Sequence, residues 1–238
     1  MRSAVLLAGV ALLVAGCGSG SGEQSTVDSL ATAVTAQTAG KSAHVAFALT
    51  NGATQLTGEG GYRVGPDLAA DFNISAPDGP TRFIMLDKTI YLLPPKASTA
   101  KPWLRFPASR PDVSQLANSM IGQADIGGQL AKLRSAGTVT STADESLEGV
   151  ATTRYSIAVD VARLADSEPD AVLKSSLKAL RDKGITTIPY TLWLDRANLP
   201  LRISIDGPAS VTTTYTHWGE PITVTAPPPD QTTDAPAH

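Results

Sequence analysis

The stretch Tyr190-Thr-Leu-Trp-Leu-Asp195, followed after a short turn by Leu201-Arg-Ile-Ser-Ile-Asp206, decides the fold class of this 238-residue chain. In both segments apolar and polar side chains alternate with a period of two, which is typical of a half-buried β-strand. The leucines and isoleucines share one face, whereas Arg202, Ser204 and Asp206 lie on the other. The pattern therefore predicts an antiparallel hairpin whose apolar face must be covered by other elements.

The same period recurs on both sides of the hairpin and predicts a large antiparallel sheet. It predicts strands at 45–49, 55–64, 68–74, 82–86, 89–93, 103–106, 138–147, 150–161, 211–217 and 222–225. A period of 3.6 residues instead predicts helices at 25–39, 112–123, 125–135 and 170–183. Each helix has a narrow apolar stripe, so we expect the helices to lie on the apolar face of one α+β domain.

Composition excludes several classes of protein. Charged residues are 17%, hydrophobic residues 42% and the net charge −3, which disfavours both wholesale disorder and a basic surface for nucleic acid. A single cysteine excludes a disulfide framework and a thiolate-rich metal site. His44 and His217 lack a second ligand at a metal-binding spacing, so we predict neither a metal nor a cofactor.

No catalytic motif is present in the sequence, and we predict a protein that is not an enzyme. The adjacent acidic residues Asp144 and Glu145 are the strongest candidates for an acid–base pair. Neighbours in one strand point to opposite faces, however, so these two carboxylates cannot flank a single bond.

The N-terminal segment has the features of a secretory signal. A positive end is followed by an apolar run from Ala4 to Ala15, which is too short for a membrane span of roughly 20 residues. Val14-Ala15-Gly16-Cys17 resembles a bacterial lipobox, which implies cleavage between Gly16 and Cys17 and lipid attachment to Cys17. An ordinary signal peptide with a chance cysteine is the alternative interpretation.

These features divide the chain into four parts. We expect a signal peptide at 1–16, a lipidated cysteine with a flexible linker at 17–24, one domain at 25–226 and a disordered, proline-rich tail at 227–238. The expected location is the extracytoplasmic face of the cell membrane, where acyl chains on Cys17 would hold the protein.

The covered face of the sheet either closes as a tight core or leaves an apolar cavity. Composition alone favours the tight core. If a cavity forms, we expect its lining to come from the apolar faces of strands and helices: Phe47, Leu49, Phe72, Ile74, Leu116, Met120, Leu130, Leu133, Leu173, Leu177, Leu192, Leu194, Ile203 and Ile205.

Three segments resemble one family. They are Lys41-Ser-Ala-His-Val45, Ile188-Pro-Tyr-Thr-Leu-Trp-Leu-Asp195 and Tyr215-Thr-His-Trp-Gly-Glu-Pro-Ile-Thr-Val-Thr-Ala-Pro-Pro228. Together with the lipobox they are similar to the LppX/LprG-type lipoproteins of actinobacteria, over residues 25 to 228. The proline-rich stretch 94–111 departs from that family.

The resemblance implies a LolA-like half-barrel, a curved and half-open antiparallel sheet with helices on its concave face around an apolar cavity. It also implies a carrier of acylated lipids or glycolipids from the plasma membrane towards the outer envelope, with an envelope lipid transporter as a further partner. A lipoprotein scaffold or signalling module with a closed core, binding a partner protein, is the alternative. A cavity that contains lipid would distinguish the two.

Overall fold

The computed structural model of the chain describes residues 26–63, 65, 69–97 and 100–236. Gly16, Cys17, the linker and Leu68 lie outside the described residues. The helices are α1 (Val27–Thr38), α2 (Pro111–Ala124), α3 (Ile126–Lys132), α4 (Val161–Ser167) and α5 (Ala171–Asp182). The strands are β1 (Ser42–Asn51), β2 (Thr54–Arg63), β3 (Ala69–Ala76), β4 (Gly79–Leu86), β5 (Thr89–Leu93), β6 (Trp103–Phe106), β7 (Gly137–Leu147), β8 (Val150–Asp160), β9 (Thr187–Asp195), β10 (Pro200–Ile205), β11 (Ala209–Thr216) and β12 (Thr232–Asp234).

All these strands form one sheet in the order β12-β6-β5-β4-β3-β2-β1-β11-β10-β9-β8-β7. Neighbouring strands are antiparallel, apart from β12 and β6, which are parallel. A long connection that contains α2 and α3 separates the strands β1 to β6 from the strands β7 to β11, which form the two halves of the sheet. Strand β7 lies at the far edge, and the two halves meet where β11 pairs with β1. The sheet is open, because its edge strands β12 and β7 do not pair with each other.

The sheet curves around a cavity on its apolar face. Six neighbouring strands of this sheet contribute side chains to the same cavity, in the order β4-β3-β2-β1-β11-β10. A flat sheet of six strands would span about 24 Å, too wide for every strand to reach one small space. The structure thus confirms the curved, half-open antiparallel sheet that the resemblance implied.

Helices α1, α2 and α3 pack on this apolar face. Helix α1 begins at the N-cap Thr26, whose hydroxyl accepts a hydrogen bond from the Ser29 amide, and its Leu30 and Val34 are buried. Helix α3 begins where the Asp125 carboxylate accepts a hydrogen bond from the Gly128 amide. Among the described helices none combines the length and the apolarity that crossing a bilayer requires.

Two of the predicted elements differ in the structure. A strand was expected to run to residue 161, but β8 ends at Asp160, whose carboxylate caps the unpredicted helix α4. No strand forms at 222–225, because both edges of the nearby strand β1 are already paired, with β2 and β11. This segment crosses the polar face of the sheet instead, and Ile222 contacts Gly61 there.

The expectation of a disordered tail from residue 227 is wrong for the described part, 227–236. Pro229–Gln231 forms a 3₁₀ turn and β12 extends the sheet at β6. The Arg105 guanidinium donates two hydrogen bonds to the Asp234 carboxylate, at 2.6 and 3.0 Å, and Ala235 is buried. Backbone pairing and this ion pair replace the apolar side chains that the tail lacks.

Candidate functional site

A cavity of about 470 Å³ lies between the apolar face of the sheet and helices α2 and α3. Such a volume is in the range of small-molecule sites, roughly 300–1,000 Å³. Its wall is built from side chains that alternate along each strand and from one turn of each helix. The lining residues are Val45, Phe47, Leu49, Tyr62, Ala70, Phe72, Ile74, Phe83, Met85, Met120, Ala124, Gln129, Ile203, Ile205, Val211, Thr213 and Tyr215.

The structure brings together half of the side chains that the sequence suggested for a cavity. Those in the wall are Phe47, Leu49, Phe72, Ile74, Met120, Ile203 and Ile205. All except Met120 lie on strands, where the period of two fixes which side chains share a face.

The other suggested residues lie elsewhere, and for them the expectation was wrong. Leu130, Leu192 and Leu194 are fully packed in the core, and Leu133 packs against it. Leu177 belongs to a separate cluster with Val161 and Ala165, where α4 and α5 pack together. Leu116 and Leu173 are exposed, at 53% and 47%.

The lining residues that sequence reasoning missed follow from strand pairing. Val45 pairs with Tyr215 on one side and with Gly60 on the other, and Phe47 pairs with Thr213. Directly paired residues share a face, so the face of β1 also selects Tyr62 by its parity along β2. The alternation that marks these lining residues is present in the sequence. It could be used only with the strand order, because β1 pairs with β11, which lies far from it in the sequence.

Exposure changes along the cavity from a closed end to an open end. Tyr62, Met85 and Tyr215 are buried, whereas Leu49, Ile205 and Val211 are half-buried. The latter lie beside the ends of strands joined by the turns at 52–53 and 206–208. The open end of the cavity therefore lies beside these turns, and its closed end lies at Tyr62 and Tyr215.

Three aromatic rings close the deep end. The rings of Tyr215 and Trp218 stack with centroids 5.7 Å apart, and the Tyr62 ring lies 6.5 and 6.4 Å from them. The Trp218 indole donates a hydrogen bond of 2.7 Å to the Pro200 carbonyl, which fixes this corner to β10. The rings therefore have defined positions before any ligand binds.

Burial dominates the electrostatics of the deep end. Desolvation raises the pKa of the Tyr62 and Tyr215 hydroxyls well above the ordinary value of 10, so both are protonated at neutral pH. The nearby Thr213 side chain lowers the pKa of Tyr215 and offsets part of the effect of burial. The Tyr62 hydroxyl is buried without a hydrogen-bond partner among the described residues.

The cavity wall offers little other polar chemistry. None of its described residues is Asp, Glu, Lys, Arg or His, and polar atoms come from two tyrosines, Thr213 and Gln129. No group of His, Cys, Asp or Glu with the arrangement of a metal site occurs in the part of the chain that the structure describes. Such a wall can bury hydrocarbon and hydrogen-bond an occasional oxygen, but it cannot neutralise a charge.

No protein-family model matches the sequence, and neither does any curated protein. Among solved structures, LprF from Mycobacterium bovis is 20% identical, with a TM-score of 0.55 over 84% of this chain and 96% of LprF. The Mycobacterium tuberculosis lipoprotein LppX is also 20% identical, with a TM-score of 0.54 over 84% of this chain and 98% of LppX. The chain has the LppX fold.

The likeness extends over nearly the whole of both solved proteins, so it covers the sheet and the helices together. The lining residues themselves place the cavity on the side of the sheet that carries α2 and α3. At 20% identity the comparison establishes the fold.

Proposed function

We propose that this chain is an envelope lipoprotein of the LppX/LprG type, which holds the acyl chains of a lipid or glycolipid in its cavity. It carries them from the plasma membrane towards the outer envelope, where a lipid transporter is a further partner. The LppX fold, the lipobox at Gly16 and Cys17 and the open apolar cavity all support this proposal.

The observation that carries the proposal is a preformed cavity with an apolar wall in a domain that could have closed as a packed core. Burial of a methylene contributes roughly 0.8 kcal/mol, so ten methylenes supply about 8 kcal/mol before the costs of association. This is enough for tight binding without a charged anchor. A scaffold that acts through its outer surface needs no such cavity, so the cavity favours the carrier over the closed-core alternative.

Attachment to the membrane completes the proposed role. Acyl chains on Cys17 would keep the domain beside the donor bilayer, and residues 18–24 would act as a flexible spacer. The entry turns of the cavity could then reach the lipid surface without release of the protein.

Native mass spectrometry of the mature chain, purified from an actinobacterial host, tests the proposal. We expect adducts whose masses match acylated lipids and which survive gentle activation, since the buried chains leave the cavity slowly. A lipid-free protein from such a host would overturn the carrier function and leave the scaffold as the better explanation.

A further inference from the structure

The helices α4 and α5 form a unit of their own in the connection from β8 to β9. The ends of these strands, Asp160 and Thr187, are paired, and the Val161 amide donates a hydrogen bond of 3.0 Å to the Thr186 carbonyl. The two helices pack on each other around a small apolar cluster whose residues do not line the cavity. The cavity wall therefore does not account for this unit.

The unit lies at the open end of the cavity. Strand β9 begins beside the end of β10, since Tyr190 pairs with Ile205. The Asp206 amide, in the turn at 206–208, donates a hydrogen bond of 3.0 Å to the Pro189 carbonyl. This turn is one of those beside the open end of the cavity, so the chain that joins β8 to β9 emerges at the same end of the sheet.

Helix α5 carries a cationic stripe. Lys174, Lys178 and Arg181 follow one another at i, i+4 and i+7, so they share one face of the helix. Asp182 lies 3.9 Å from the Arg181 guanidinium, whereas the two lysines have no ion-pair partner in the described part of the chain. The whole chain has a net charge of −3, so this stripe is a local cationic surface on an acidic protein.

An exposed leucine lies next to the stripe. Leu173, in the first turn of α5, is 47% exposed, whereas Leu177, one turn later, is buried against α4. An exposed apolar side chain beside lysines is typical of a helix that lies on a membrane surface. The apolar group enters the lipid interface there, and the lysine ammonium groups extend to the phosphates.

We propose that α5 docks on an anionic phospholipid bilayer through Leu173, Lys174 and Lys178, and so holds the open end of the cavity against the membrane. The inference rests on the proposed function and deepens it, because it names the surface with which the carrier meets its donor bilayer. Charge complementarity argues for this occupant. An anionic bilayer repels an acidic protein except where a cationic surface faces it, so the stripe also sets the orientation.

Vesicle sedimentation tests the docking surface, with the mature chain carrying Cys17→Ser so that no acyl anchor is present. Vesicles of phosphatidylcholine are compared with vesicles that contain about one third phosphatidylglycerol. We expect binding to the anionic vesicles that weakens as salt is raised. The double variant Lys174→Gln/Lys178→Gln should lower the partition coefficient about ten- to thirtyfold, and Leu173→Gln about three- to tenfold.

Matched controls lie at the opposite end of the sheet. Lys41→Gln/Lys88→Gln removes the same charge beside the start of β1 and the end of β4, and Val150→Gln replaces an apolar side chain that is also 47% exposed. Both controls should bind as the wild type does. Every variant should keep the wild-type Tm, because the side chains lie at the surface and have no ion-pair partner.

The outcomes separate the docking surface from the carrier function. Equal binding to both kinds of vesicle, unchanged binding of the double lysine variant, or an equal loss in its control would overturn the inference. A dimer in gel filtration that the double lysine variant abolishes would assign the surface to a second copy of the chain and would also overturn it.

Native mass spectrometry of the same samples reports lipid taken from the vesicles. If the wild type binds the vesicles through α5 and takes up no lipid, the carrier function fails and the docking surface stands. If it takes up lipid and the α5 variants bind as the wild type does, only the docking surface fails.

Discussion

Two glycines of β2 show how single residues set the space under the sheet. A Cβ atom added to Gly58 would lie 2.4 Å from Cζ of Phe47, which is the end of a flexible side chain in the cavity wall. A Cβ atom added to Gly60 would lie 2.0 Å from the backbone carbonyl oxygen of Asp71 on β3. The first collision can be relieved by moving a ring, whereas the second requires two paired strands to separate.

We therefore expect Gly60→Ala to be clearly more destabilising than Gly58→Ala. Overpacking costs about 1–3 kcal/mol, and each kcal/mol lowers the Tm of a domain this size by roughly 2–4 °C. Thermal melts of both variants against the wild type measure the difference. Equal losses of stability would show that the β2–β3 backbone yields as easily as the Phe47 ring.

At the residue scale, alternation along strands was the reliable signal. It placed Phe47, Phe72 and Ile203 on the covered face, because the orientation of strand side chains follows from sequence position alone. The helical period failed for Leu116 and Leu173. An apolar stripe on a helix does not show how much of the stripe its neighbours cover. Tyr62 was missed because its place in the wall follows from the register of β2 with β1, which the sequence alone does not give.

At the scale of elements, the C-terminal segment is a strand that covers the edge of β6. Its anchors are polar: Arg105 pairs with Asp234, and the Arg110 guanidinium donates hydrogen bonds to the carbonyls of Ala235 and Pro236. Composition could not predict this docking, because a tail without large apolar side chains is typical of disorder. The pairing depends instead on backbone groups, which every sequence has, and on a strand edge that would otherwise be exposed.

The ion pair makes the stability of this edge depend on pH. The Arg105 hydrogen bond lowers the pKa of Asp234 below its ordinary value of 3.8. A lowered folded-state pKa contributes stability that is present above 3.8 and is lost as the pH falls through the folded-state pKa. We expect Asp234→Asn to lower the Tm slightly at pH 7 and to match the wild type at pH values below the folded-state pKa.

Asp230→Asn is the control for this prediction, because it removes from the same segment a carboxylate that forms no ion pair with any described residue. Its Tm should follow that of the wild type at every pH. A Tm difference between Asp234→Asn and the wild type that persists unchanged into acid would show that the carboxylate contributes through something other than its charge.

At the scale of the whole molecule, the two faces of the sheet differ in polarity. The polar face carries ion pairs such as Arg82–Asp71 and the crossing segment 221–224. The apolar face is too large for α1, α2 and α3 to fill, and the remaining space is the cavity. The sequence predicted the α+β class and the separation of faces, but not whether the covered face closes, since volume depends on the curvature of twelve strands together.

A pair of tryptophan substitutions compares the cavity with the core around it. Ile203 lines the cavity, whereas its direct partner on β9, Leu192, has the same orientation but is completely packed. In Ile203→Trp the added bulk can enter free volume, so we expect bound lipid to fall strongly while the Tm stays close to the wild-type value. In Leu192→Trp the bulk has no space, and overpacking should cost about 1–3 kcal/mol or more.

Both quantities are measured on each variant, the Tm by calorimetry and the bound lipid by extraction and mass spectrometry. Because the two residues are adjacent on one face, differences in strand position or solvent exposure cannot explain opposite results. Clear destabilisation by Ile203→Trp with unchanged lipid would mean that the space beside Ile203 closes in solution. Lipid lost without a loss of stability would instead place the acyl chains against β10, next to β11 and close to the point where the two halves of the chain meet.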